Sequence, residues 1–225
     1  MPNWALGLPA NPEPWQRELA EGLAARLAQL SPAAQSAPVA ILEGMSPTPD
    51  QRYCPLSLEL AAGRAFPEAP VFEACADWQG LRAQIATWGY ATGVGKHWLP
   101  VVWTRHGPLY GEAISRPAGP ASPYHQPTHW RDAQRQALYA LAHTLLRHLQ
   151  APPSVYLIQF DYRQEPIFDR LWPYPGRPAL ASVGVQDPDL LTCQVCCWLD
   201  RPIRDLRIHP GVTWVEPAQP TPCEL

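Results

Sequence analysis

The sequence predicts an α+β fold: a mostly antiparallel sheet built from hairpins, with about three helices packed on it. Three observations carry that expectation. Apolar residues recur at steps of three and four in three separate segments, as they do on helices with one buried face. Between those segments, short apolar or alternating runs flank polar turns containing Gly or Pro, as strands joined in hairpins do. Of the 225 residues 46% are hydrophobic, enough for a sizeable core. Hairpins alternating with helices place the helices over one side of the sheet.

The elements follow in chain order. Asn11 can cap a first helix with Pro12 at its first position, and Trp15, Leu19, Leu23, Leu27 and Leu30 then line one face until Ser31 and Pro32 stop it. Leu56, Leu58 and Leu60 alternate with Ser57 and Glu59, the period of a half-buried strand. Asp77 caps a second helix in which Trp78, Leu81, Ile85 and Trp88 share a face, and Gly89 can close it. Residues 98–103 and 109–114 flank Thr104-Arg-His-Gly-Pro108 and read as a hairpin. Thr128 opens the third and longest helix, from about His129 to Gln150, whose stripe of Ala133, Ala137, Leu138, Leu141, Leu145 and Leu149 should lie on the sheet. Residues 155–160 are apolar on both faces except at Gln159, as a central strand would be. Residues 167–172 are expected to return beside it, and 190–199 to form another buried strand. Residues 1–209 read as a single α+β domain with a subdivision near 116–128, and 210–225 as a Pro-rich, extended tail.

Composition narrows the function classes. A formal charge of -3 gives no global basic field to draw the chain to nucleic acid or to an anionic membrane. Lys96 is the only lysine, which limits chemistry that needs an ammonium group. The first residues lack a basic region followed by an apolar one, and no apolar run has bilayer-spanning length, so a cytoplasmic location is expected. Six irregularly spaced cysteines do not suggest a disulfide framework there. The prolines, 29 in all, are spread along the chain and mark loops rather than one linker.

The richest stretch for chemistry is 154–198. Asp161 and Asp169 flank the turn between two expected strands, where paired carboxylates can hold Mg2+ and equally serve as ordinary turn residues. Arg163, Arg170 and Arg177 can grip a phosphate or carboxylate through bidentate bonds, or simply form surface ion pairs. The run Arg170-Leu-Trp-Pro-Tyr-Pro-Gly-Arg177 reads as a rigid recognition edge, with Arg163, Arg170, Trp172, Tyr174 and Arg177 as its partner-binding residues. On the third helix Arg131, Arg135, Tyr139, His143 and Arg147 recur every fourth residue, a cationic row for an acidic partner or RNA, or a solvated face. Gly93-Val-Gly95-Lys96 lacks the earlier glycine and the following Ser/Thr of a P-loop. Cys193, Cys196 and Cys197 have the spacing of half a zinc site without a second pair, and read as buried thiols.

The order of long helix, strand 155–161, short turn, second strand and then Pro175-Gly176 resembles the C-terminal half of ATP-grasp ligases. The resemblance implies nucleotide and metal binding, with Asp169 standing for an acidic metal ligand on the second strand. An asparagine follows the acid in that family; here Arg170 and Trp172 occupy the neighbouring places. Residues 168–173 and 181–189 also resemble passages of uncharacterised cyanobacterial proteins, which implies a role in assembling a photosynthetic complex. The reading that leads is a non-catalytic protein-binding or complex-assembly factor without a cofactor. Two others stand beside it: a Mg-dependent nucleotide-binding or ATP-grasp-like enzyme using Mg and ATP, and an RNA-binding protein.

Overall fold

Strand β1 (Asn3–Leu8), buried at every residue after the first, is the centre of a parallel three-stranded sheet with β2 (Ala40–Glu43) and β3 (Gln51–Pro55) on its flanks. The computed structural model describes residues 3–31, 39–116 and 123–215. Parallel pairing of β1 with β2 needs a crossover, and α1 (Pro14–Leu30) supplies one, burying Leu19, Ala20, Leu23 and Leu27. The helix starts later than Asn11. Pro14 disfavours the helical conformation at residue 13, so Glu13 becomes the cap and Pro14 the first helical residue. Gln16 turns its side chain back to accept the Glu13 backbone N–H at 2.8 Å.

The alternation at Leu56, Leu58 and Leu60 is not a strand. The strand, β3, ends at Pro55, and Ser57 caps the one-turn helix α2 (Leu58–Ala61), accepting the Leu60 N–H at 3.3 Å. After α3 (Ala69–Ala76), Asp77 accepts the Gly80 N–H at 3.0 Å and starts α4 (Trp78–Thr87) as expected. Gly89, at φ +85°, turns the chain out of it.

The second sheet has eight strands in the order β13-β8-β7-β5-β9-β10-β4, with β6 also paired to β5. Its members are β4 (Ala91–Thr92), β5 (His97–Thr104), β6 (Gly107–Tyr110), β7 (Ala113–Ser115), β8 (His125–Thr128), β9 (Ser154–Tyr162), β10 (Pro166–Trp172) and β13 (Trp214–Val215). The hairpin expected around residues 104–108 is β5–β6. The expected return strand is broken in two, because Gly111 donates its N–H to Pro100 O at 2.9 Å and releases β7 to pair at the other end of β5. Helix α5 (Asp132–His148) buries Leu138, Leu141 and Leu145 as its stripe requires. β10 returns beside β9 in antiparallel register. A short pair, β11 (Gln186–Asp187) with β12 (Arg207–Ile208), completes the strands.

Residues 190–199 form a helix, α6 (Leu190–Trp198), not a strand. Asp189 accepts the Thr192 N–H at 2.7 Å and caps it. Its side chains are buried almost all round, so the run carries no helical period to read. Among the described residues five cysteines are free thiols, and Cys54, Cys75 and Cys193 are buried.

The fold class is therefore α/β of mixed kind. The small sheet is wholly parallel, the large one is mixed because β4 joins β10 in parallel, and the described residues hold six α-helices and the 3-10 turn Arg177–Ser182. Helices also cover both faces of the large sheet. Val155 and Leu157 of β9 point into a core shared with α1, α6 and β1, whereas Tyr156, Ile158 and Phe160 point into one shared with α4 and α5. That division explains why β9 is apolar on both sides. The expected subdivision near 116–128 falls partly on residues 117–122 and most of the tail on 216–225, which lie outside the described residues. Within the tail, β13 pairs with β8. Among the described residues no helix is long and apolar enough to cross a membrane.

Candidate functional site

Register across three strands builds the site. Trp98 of β5 stands opposite Gln159 of β9, Gln159 opposite Arg170 of β10, and Leu157 opposite Trp172. Cross-strand partners share a face, so Trp98, Gln159, Arg170 and Trp172 project to the same side. A bulge between Phe168 and Arg170 inserts Asp169 as an extra residue and sets this register. Gln159 joins the row: its Nε2 donates to Gly95 O at 2.7 Å and its Oε1 accepts the Trp172 indole N–H at 3.1 Å.

Beside this row lies a cleft of about 300 Å³ whose wall includes Trp15, Trp98, Tyr124, Trp172, Tyr174 and Arg177, with one carboxylate, Glu13. Trp15 comes from the first turn of α1 and donates its indole N–H to Glu13 at 3.0 Å. Tyr124 meets Trp98 edge-on at 5.1 Å, and the Tyr174 ring stands edge-on to Trp172 at 6.3 Å. The guanidiniums of Arg116 and Arg177 lie over the Tyr124 ring at 5.1 and 5.8 Å. Burial pushes the Tyr174 hydroxyl well above its ordinary pKa, so the ring stays neutral.

Asp169 has a different setting. Its side chain is 2% exposed. Oδ1 accepts from Arg82 Nη2 and from Arg170 Nε, the latter at 3.2 Å, and Oδ2 accepts the Gly95 N–H at 2.8 Å. Arg82 also donates to the carbonyls of Asp169 at 2.9 Å and Gly93 at 2.7 Å. The Trp78 ring lies under both guanidiniums, 4.7 Å from Arg82 and 5.4 Å from Arg170. A side chain at residue 95 would collide with the Phe160 backbone, which explains the glycine in Gly93-Val-Gly95-Lys96. That segment is a loop clipped to the sheet, with Lys96 exposed.

Asp161 sits apart from this network in its bonding. Its carboxylate is 3.9 Å from His97 Nε2, and His97 Nδ1 shares a 2.5 Å hydrogen bond with the buried Ser115 hydroxyl. Burial lowers the His97 pKa against the opposing pull of Asp161, which keeps the imidazole neutral near pH 7. Among the described residues no three His, Cys, Asp or Glu side chains converge on one point. Both Asp169 oxygens accept N–H donors and Asp161 accepts only the adjacent Tyr162 N–H at 2.8 Å, so the described residues form no cluster of three ligands suited to a divalent cation.

The five residues of the expected recognition edge do not form one surface. Tyr174 is buried, Trp172, Tyr174 and Arg177 line the cleft, Arg170 lies between Trp78 and Trp172, and Arg163 alone sits on the exposed β9–β10 turn. The row on α5 is likewise broken. Arg131 and Arg147 are exposed, but Arg135 pairs with Glu112 at 3.4 Å and Asp132 at 3.2 Å, and Tyr139 stacks on Tyr110 at 4.0 Å. Trp15, Trp98, Tyr124 and Arg82 were not distinguishable as site residues in the sequence, because each also reads as an ordinary helix, strand or loop residue.

No protein-family model matches the chain, and no curated protein matches it in sequence. Solved structures do. The chain is similar to glycinamide-RNase-transformylase T from Mycobacterium tuberculosis at 16% identity and a TM-score of 0.68, over 89% of this chain and 80% of that one. It is similar to an N5-carboxyaminoimidazole ribonucleotide synthetase solved as its ADP complex at 9% identity and a TM-score of 0.68, over 92% and 80%. It is also similar to the N5-carboxyaminoimidazole synthase of Aspergillus clavatus, in complex with ADP and 5-aminoimidazole ribonucleotide, at 9% identity and a TM-score of 0.62, over 90% and 78%. These neighbours are synthetases and a transformylase, which overturns the reading of the chain as a non-catalytic protein-binding or assembly factor. Neither a protein partner nor a cyanobacterial family finds support among them, and the expectation of no cofactor falls with the assembly reading. What the likeness establishes is architecture: the chain has an ATP-grasp-like fold.

Proposed function

We propose that the protein is a nucleotide-binding enzyme of ATP-grasp-like kind, and that the aromatic cleft between α1 and the β5–β9–β10 face takes the nucleotide's heterocycle. The observation that carries this reading is the lining of the cleft: Trp98, Trp172 and Tyr174 around a volume of about 300 Å³, with Arg177 at its edge. Aromatic rings stack on any base, worth about 1–3 kcal/mol per base, and a guanidinium matches a phosphate through paired N–H bonds. The site also lies beyond the C-terminal end of β1 and against the first turn of α1, where ligands of parallel-sheet proteins bind. Two cavities of similar size compete poorly. Arg17 pairs with Glu43 at 2.9 Å in one and Arg105 with Asp200 at 3.0 Å in the other, and neither has a Trp or Tyr in its wall.

ADP and 5-aminoimidazole ribonucleotide, present in the Aspergillus clavatus structure, both join a planar heterocycle to a ribose phosphate. The cleft suits that combination. Phosphoryl transfer asks a protein mainly for positioning and for positive charge, so stacked rings and fixed guanidiniums are the groups such an enzyme needs.

Calorimetric titration with ADP tests the reading. One saturable site is expected, and Trp172→Ala should weaken it about tenfold, or ~1.4 kcal/mol, within the range of one stacked base. Arg177→Ala should do the same, with its melting temperature as the control for folding. Wild-type affinity in both variants would remove the nucleotide from this cleft, and absence of binding by ADP and by 5-aminoimidazole ribonucleotide would remove the function.

A further inference from the structure

We propose that Arg170 supplies the positive charge that a divalent cation would otherwise bring to the phosphates, so that this protein binds its nucleotide without a metal. The proposal rests on the nucleotide reading above. Its first support is the state of Asp169. A carboxylate that ligates a cation must offer it a lone pair, and here both oxygens point at the N–H groups of Arg82, Arg170 and Gly95. Across the row, Gln159 is a neutral amide whose two polar atoms are already used by Gly95 and Trp172. The cross-strand row of Trp98, Gln159, Arg170 and Trp172 contains no carboxylate of its own to hold Mg2+.

The second support is Arg170 itself. Its guanidinium is fixed by the Nε bond to Asp169 and lies 5.4 Å from the Trp78 ring and 5.7 Å from the Trp172 ring. Nη1 and Nη2 make no hydrogen bond among the described residues, and the side chain is 34% exposed. Two guanidiniums face one carboxylate here, which leaves one formal positive charge in the patch. Trp172, two residues on and on the same face, lines the cleft, so the open fork of Arg170 adjoins the place proposed for the heterocycle. A planar, weakly hydrated fork held between indoles is prepared for phosphate oxygens at little entropic cost. A Mg2+–ADP complex offers Arg170 less negative charge than ADP alone and should bind no more tightly.

ADP titrated into the full chain, once in EDTA and once in excess Mg2+, decides the matter. The Kd in EDTA should equal or fall below that in Mg2+. Arg170→Ala should raise the metal-free Kd at least tenfold, and Arg170→Lys should recover part of the loss, since it keeps the charge without the fork. Melting temperatures report whether each variant is folded, and the lysine variant keeps the test open if alanine unfolds the chain. Binding that needs Mg2+, or metal-free binding unchanged in both variants, overturns this inference while leaving the nucleotide reading in place. Binding in neither buffer overturns the nucleotide reading itself.

Discussion

Asp169 and His97 show how single residues take their roles from their surroundings. In the sequence Asp169 reads as a metal ligand or an ordinary turn residue, yet its carboxylate is inside the protein and bonded to Arg82, Arg170 and the Gly95 N–H. Removing one member of a buried ion pair leaves the other uncompensated, at a cost of roughly 3–5 kcal/mol. Asp169→Asn should therefore lower the stability measured by urea unfolding by about 3 kcal/mol, whether or not Mg2+ is present. An unchanged midpoint would mean that the network holds nothing together. His97 gives a pH dependence. Burial lowers its folded pKa below the ordinary 6.5, so as pH falls the unfolded chain takes up the proton first. Stability from this residue is complete above pH ~6.5 and is lost as pH falls from there through the folded pKa. Urea midpoints should drop below that pH in the wild type and drop less in His97→Gln.

Elements whose signals are local were legible in the sequence. Asp77 before α4, the stripe of Leu138, Leu141 and Leu145 on α5 and the β9–β10 return each carry their own cap, period or turn. Elements set by competition between signals were not. Pro14 overrode Asn11 as the start of α1, Ser57 turned an alternating run into α2, and the all-round burial of α6 erased its period. β1 has no alternation because it is buried from Trp4 to Leu8, so the parallel sheet carries no period-two signal in the sequence. Helix α6 depends on one residue for both its start and its docking. Asp189 caps Thr192 at 2.7 Å and pairs with Arg26 of α1, whose Nε lies 3.1 Å away. Asp189→Ala removes a cap and a partly buried ion pair together, and urea unfolding should show a loss of about 2 kcal/mol. A change under 0.5 kcal/mol would assign the docking of α6 to its apolar face alone.

At the scale of the whole molecule, the cleft exists only because the parallel unit and the mixed sheet meet. Trp15 arrives on α1, Trp98 on β5, Tyr124 ahead of β8, and Trp172, Tyr174 and Arg177 from β10 and the turn after it. Three of these, Trp172, Tyr174 and Arg177, stand close together in the sequence and were picked out there as an outward edge. The other walls come from far along the chain, and only the fold turns that edge inward. Whether a nucleotide's ring occupies this cleft beside Arg170 is decided by a crystal structure of the protein grown with ADP in EDTA. The adenine should lie between Trp98 and Trp172, with a phosphate on the Arg170 fork. ADP bound in another cavity, or bound here only through a metal ion on Asp169, would contradict it.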